Sequence, residues 1–146
     1  MTARAFLEIG MAFLIAIVLL FVFAGVVRVL DGADAATAFF DQGPRFIAGT
    51  LALALPLWMI LLVIGAALTR NRSRRRKVGI HLASSGIVGL LNVVAFSLIG
   101  AASGGWGTLL TALALGATAI FIASAAMAIL VTYFAIFRRP PRPLPL

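Results

Sequence analysis

Arg70-Asn71-Arg72-Ser73-Arg74-Arg75-Arg76-Lys77 places six cations within eight residues, and long uncharged apolar runs flank it on both sides. A cluster of this kind is costly to carry through hydrocarbon. It therefore stays in the compartment where the chain is made and sets the direction of the helix on either side. Residues 46–69 lie upstream of it and 78–102 downstream, and neither run contains Asp, Glu, Lys or Arg. At about 1.5 Å per residue each is long enough to cross a bilayer core of about 30 Å.

Two further runs complete the pattern. Residues 6–28 contain 19 consecutive uncharged positions from Ile9 to Val27. A cleaved signal peptide would have a shorter apolar core, of about 7–15 residues, so this run is expected to remain as a first span. Residues 109–137 form the last run, stopped by Arg138-Arg139. The fold class expected is all-α, with four transmembrane helices in two hairpins forming one domain over residues 1–146. A basic, proline-rich tail, 138–146, is expected to follow as extended polyproline-like chain.

Cation placement orients these spans. Arg4, the six cations of the central loop, Arg138, Arg139 and Arg142 fall on one side; Arg28 and Arg45 fall on the other. That bias puts both termini in the cytoplasm. Composition agrees: the chain is 63% hydrophobic and 11% charged, with mean hydropathy +1.16, against about 25% charged residues in soluble domains. A net charge of +8 would suggest nucleic acid in a soluble protein. Here the cations flank spans, so anionic lipid headgroups or an acidic partner are expected, and no nucleic acid. The Ala-, Leu- and Arg-rich usage and short loops suggest a bacterial inner membrane.

Local breaks sit where membrane helices tolerate them. Pro56 falls within the second run and is expected to kink it. Trp58 lies too deep for an interfacial belt and is expected to pack against a helix or lipid. On the outer side, residues 31–45 hold Asp31, Asp34 and Asp41 together with Phe39-Phe40, which suggests a short interfacial helix. Gly43-Pro44 is expected to end that segment, with proline in the first turn of the next helix. Ser103-Gly104-Gly105-Trp106-Gly107 reads as a tight outer turn with an interfacial tryptophan.

Candidate functional residues form three groups. Ala112, Gly116, Ala119, Ala123 and Ala126 make a seam without bulk on the last span, suited to close helix approach. The seam offers a docking face for a partner subunit or ordinary packing within the bundle, with the second weighed above the first. His81, Ser85 and Asn92 share one face of the third span. They form either a polar track with Glu8 near its mouth or a set of interhelical hydrogen bonds, again with the second preferred. Arg70, Arg72, Arg74, Arg75, Arg76 and Lys77 would meet lipid headgroups or an acidic partner.

Chemistry is sparse elsewhere. With one His and no Cys there is no HExxH zinc site, no Cys–His nucleophile and no thiolate-bound metal centre. The outer aspartates match no calcium-loop spacing. No catalytic residue, cofactor or metal is expected. The function expected is that of a small accessory or scaffolding subunit in a larger respiratory, photosynthetic or transport complex. The alternative is a small homo-oligomeric transporter or channel using the polar track on the third span.

Overall fold

The computed structural model describes residues 3–138, and among these every regular element is helical. The helices are α1 (Ala3–Leu30), α2 (Gly43–Leu51), α3 (Ala54–Leu68), α4 (Arg74–Ala102) and α5 (Gly107–Leu130). Three segments are long and apolar enough to cross a membrane: α1, α4, and Gly104–Ile136 containing α5. The proline-rich tail expected beyond Arg138 lies outside the described residues.

Packing follows from the short connections. α5 lies between α1 and α4, and α3 closes the ring against α4 and, over a smaller contact, against α1. Neighbours around the ring run antiparallel. The start of α1 therefore meets the end of the chain's last helical segment, where the Arg4 guanidinium lies 5.9 Å from the centre of the Phe137 ring. Lipid tails are as apolar as leucine, so close packing and hydrogen bonds must hold such helices together. At mid-bundle Trp58, fully buried, stacks on Phe13 at 6.2 Å and meets Phe121 edge-on at 5.8 Å. Trp58 is thus a helix-packing residue.

The second apolar run, expected as one kinked helix, is divided into α2 and α3. The residues at the division, Ala52 (φ −54°, ψ −35°) and Leu53 (φ −84°, ψ −32°), keep right-handed helical dihedrals. The chain therefore bends without reversing. Proline at 56 explains the position: it has no N–H to give the Ala52 carbonyl, and its ring crowds that carbonyl one turn back. An apolar groove of about 340 Å³ opens beside the bend, lined by Leu53, Leu57, Leu91 and Phe96 among others.

The connection between α1 and α2 differs in part from the sequence expectation, although Pro44 does fall in the first turn of α2. Gly43-Pro44 does not end a separate helix; a π-helical turn, Thr37–Gln42, runs directly into α2. Its wider spacing, with the Gly43 N–H bonded to the Ala38 carbonyl five residues back, eases the crowding that Pro44 would cause against Phe40 in a regular helix. Phe40 is exposed, whereas Phe39 folds back on α1. A Cβ on Gly25 would stand 2.3 Å from the Phe39 ring, and Phe21 lies 6.0 Å from it. Glycine at 25 is the seat that lets an aromatic ring dock on the helix backbone.

Asp34 starts this helical segment as its cap. Its carboxylate accepts hydrogen bonds from the Thr37 N–H (3.1 Å) and the Thr37 hydroxyl. These bonds hold its pKa below the ordinary 3.8. A depressed carboxyl contributes stability above its unfolded pKa and loses it as pH falls through the folded value. The start of the segment should therefore loosen only in strong acid. In Thr37→Val the Asp34 carboxyl midpoint, followed by NMR, should rise; an unmoved midpoint would mean these bonds do not set it.

The α4–α5 turn is governed by backbone proximity. A Cβ on Gly107 would lie 2.7 Å from the Gly100 carbonyl oxygen, and one on Gly100 would lie 3.0 Å from that of Gly107. Backbone cannot swing aside as a side chain would. Gly107→Ala is expected to lower thermal stability in mild detergent by more than about 1 kcal/mol. Gly86→Ala, with nothing within 4 Å, should leave it unchanged or raise it by up to about 1 kcal/mol. Equal behaviour of the two variants would refute this account of the turn.

Candidate functional site

Three separate elements bring their charges to one end of the bundle: the first turns of α1, the connection after α3, and the first turn of α4. The connection begins where α3 stops. There the Thr69 hydroxyl donates to the Gly65 carbonyl at 2.6 Å and the Thr69 N–H to the same oxygen at 3.0 Å. Ser73, extended at ψ 154°, then starts α4, and the Lys77 N–H reaches the Ser73 carbonyl at 3.1 Å. The opening turn of α4 carries Arg74, Arg75, Arg76 and Lys77. Cations there oppose the helix dipole, whose positive end is the N-terminus.

Part of this charge is used structurally. Arg74 donates to the Phe137 carbonyl, and Arg138 Nε donates to the Phe134 carbonyl at 3.0 Å. Both cap carbonyls at the end of the π turn Val131–Ile136 that extends α5, a favourable place for cations. Arg4 Nε donates to Glu8 Oε1 at 3.2 Å, four residues along α1. The Glu8 side chain is nearly buried and that of Arg4 is 59% exposed, so the pair contributes only about 0.3–0.5 kcal/mol.

Between these groups lies a pocket of about 220 Å³, lined by Arg4, Ala5, Glu8, Arg70, Arg72, Arg74, Lys77 and Tyr133. Its cations line a space with two buried polar residues, Glu8 and Tyr133, in its wall. A smaller recess of about 40 Å³ shares several of these residues and adds Ala66 and Ala67 of α3. It lies along the α1–α3 contact, the least extensive in the ring. The loop cations thus divide. Arg70, Arg72, Arg74 and Lys77 line the pocket, while Arg75 and Arg76 are exposed outside its lining. Sequence reasoning treated the six alike; the helical phase of α4 separates them. It also missed Arg4 and Tyr133 as pocket residues, because nothing local joins residues so far apart in the chain.

His81, Ser85 and Asn92 are all buried on the bundle side of α4, but they do not connect. The Asn92 amide donates to the Thr118 hydroxyl of α5 at 2.9 Å. The Ser85 hydroxyl turns back to the Leu82 carbonyl at 2.7 Å, and neighbouring Ser84 to that of Ile80 at 2.9 Å. Hydroxyls in lipid commonly satisfy themselves this way on their own helix. The His81 ring stacks on Tyr133 at 5.6 Å and lies against the backbone of Gly65. Its two ring nitrogens have no hydrogen-bond partner. Glu8 bonds Arg4, so the Glu8–His81 approach offered as a mouth for the track is not made.

The small-residue seam lies on the outside of the bundle, away from the face that packing within the bundle would require. Ala112, Gly116, Ala119 and Ala123 are exposed and Ala126 is half-buried. A Cβ on Gly116 would meet nothing within 4 Å. The bundle instead buries Ala114, Ala117, Phe121, Ala125 and Ala128 of α5. Packing within this bundle therefore does not account for the seam. No cluster of His, Asp or Glu that could hold a metal occurs among the described residues.

The sequence matches no family model, no curated protein and no solved structure.

The Asn92–Thr118 bond gives a direct test of how α4 and α5 are held. A double-mutant cycle with Asn92→Ala and Thr118→Ala should give a coupling energy of about 0.6–2 kcal/mol, the range for interhelical hydrogen bonds in membranes. Additive losses in thermal unfolding would show that the bond contributes nothing.

Proposed function

We propose that this chain is a four-span protein of a bacterial inner membrane, with both termini and the 70–77 loop in the cytoplasm. We infer that it serves as a non-catalytic accessory subunit that packs against a larger membrane protein. The kinked pair α2–α3 is the fourth span in this reading. Its support is the helical backbone kept through Ala52 and Leu53 and the gathering of Arg4, Arg70, Arg74 and Lys77 at one end of the bundle.

The observation that carries the subunit role is the outward seam on α5. In a bilayer, smooth strips of Ala and Gly are where another helix approaches closely and gains van der Waals contact. Here the strip is on the outside, continuous with a shallow depression of about 520 Å³ at the outer ends of α4 and α5, lined by Gly100, Gly104, Gly107 and Ala112 among others. Large apolar residues flank it at Leu113, Leu115 and Met127.

Purification in mild detergent should bring down a stoichiometric larger membrane protein. Gly116→Leu or Ala123→Leu should weaken that association, by about tenfold for a loss near 1.4 kcal/mol, while leaving the isolated chain's thermal stability unchanged. A monodisperse, partner-free chain with transport activity of its own would overturn the assignment. The orientation is tested separately. A Ser73→Cys variant should resist impermeant thiol reagents added outside intact cells, and labelling there would invert the topology.

A second reading, a small homo-oligomeric transporter, is favoured by one observation: the buried His81 ring without hydrogen-bond partners. Such a transporter reconstituted in liposomes should show a flux that His81→Ala abolishes.

A further inference from the structure

We infer that the pocket at the basic end of the bundle is a binding site for a phosphate group, entered by the headgroup of a phosphomonoester lipid. This goes beyond the subunit role and is independent of any partner on α5.

Charge is the first argument. Arg4, Arg70, Arg72, Arg74 and Lys77 line the pocket against a single carboxylate, Glu8. Five cations and one anion leave the lining at +4, which suits a dianion far better than a zwitterion. Part of that charge stands at the start of α4, where helix dipole and cations have the same sign. The Ser73 side chain makes no capping bond to relieve it. An anion placed there meets guanidinium donors in fork geometry, the arrangement that suits phosphate oxygens.

Shape is the second. The pocket, about 220 Å³, is formed from three stretches distant in sequence, 4–8, 70–77 and Tyr133, so Arg4 is brought onto the same volume as four cations of the 70–77 stretch. A solvated topology signal needs no such convergence: Arg75 and Arg76 serve that purpose equally well from outside the pocket. The third argument is the recess walled by Ala5, Ala66 and Ala67. These small side chains sit beside the α1–α3 contact, the least extensive of the ring. A headgroup held by the arginines would have its glycerol and acyl chains directed to that seam. Tyr133 remains in the wall with a hydroxyl that can donate to the ester end, and Glu8 is the one charge there that opposes the anion.

The test uses the full chain in phosphatidylcholine nanodiscs, with affinity read by thermal-shift titration. Phosphatidic acid incorporated in the discs should stabilise the protein saturably. Arg72→Gln/Arg74→Gln should weaken that response about twenty-five-fold, the product of two contacts each worth about fivefold. Arg75→Gln/Arg76→Gln, which removes the same charge, should weaken it by less than about twofold. Glu8→Gln should strengthen binding, a gain that misfolding cannot mimic. Inorganic phosphate added to pure phosphatidylcholine discs separates the sources: a response to phosphatidic acid alone assigns the site to lipid, and an equal response to inorganic phosphate assigns it to a soluble phosphate. Equal losses in the two charge-matched double variants, or no response to either probe, would overturn the proposal.

Discussion

A guanidinium placed in hydrocarbon without a partner costs about 2.5 kcal/mol or more, and this protein gathers cations at one end of its long apolar helices. Arg4, Arg70, Arg72, Arg74 and Lys77 come to one end of the helices, and the apolar lengths of α1, α4 and α5 extend away from it. Once the cations are gathered, the rest is constrained. The connection after α3 must be short, α4 must start with its dipole facing like charge, and the last helix must finish close enough for Arg74 and Arg138 to cap its carbonyls. The same gathering that keeps charge out of lipid creates the pocket.

Interior polarity is handled in the opposite manner. The bundle holds Ser84, Ser85, Asn92, Thr118, Ser124 and Thr132. Most of their bonds are local, as in the Ser124 hydroxyl to the Ile120 carbonyl at 2.8 Å. Asn92–Thr118 is the interhelical exception. With one such bond among the described residues, the bundle depends mainly on contact density, which explains why glycine at 25, 89, 100 and 107 marks the tightest approaches. At Gly89 a Cβ would stand 2.6 Å from the Ile122 side chain. These glycines matter for proximity rather than for unusual backbone angles.

The helical class and the three long apolar helices were legible because charge and hydropathy act over whole segments. The bend near Pro56 was legible too, since proline removes a specific hydrogen bond. What escaped was rotation. A wheel shows that Ala112, Gly116, Ala119, Ala123 and Ala126 share a face, but not whether that face looks inward; alanine fits either side, and only the neighbours' shapes decide. The same limit hid the division of the loop cations and the docking of Phe39 on Gly25, which joins residues on different helices. Pro44 does stand in the first turn of α2, as its fixed φ suggests; the break expected at Gly43-Pro44 was misread, because a wider turn carries the helix through it.

Wider turns have a further effect in this chain. Thr37–Gln42 and Val131–Ile136 each spend more residues per revolution than the α-helix they adjoin. A helix containing such a turn is out of phase across it, so positions before and after no longer obey one angular count. Tyr133 and Phe137 therefore reach the stations where His81 and Arg4 meet them along a path that a regular spiral of the same sequence would not follow. In effect the chain carries a vernier at that end: the azimuth of Phe137 is set by the surplus in the turn, separately from the length of the apolar rod beneath it.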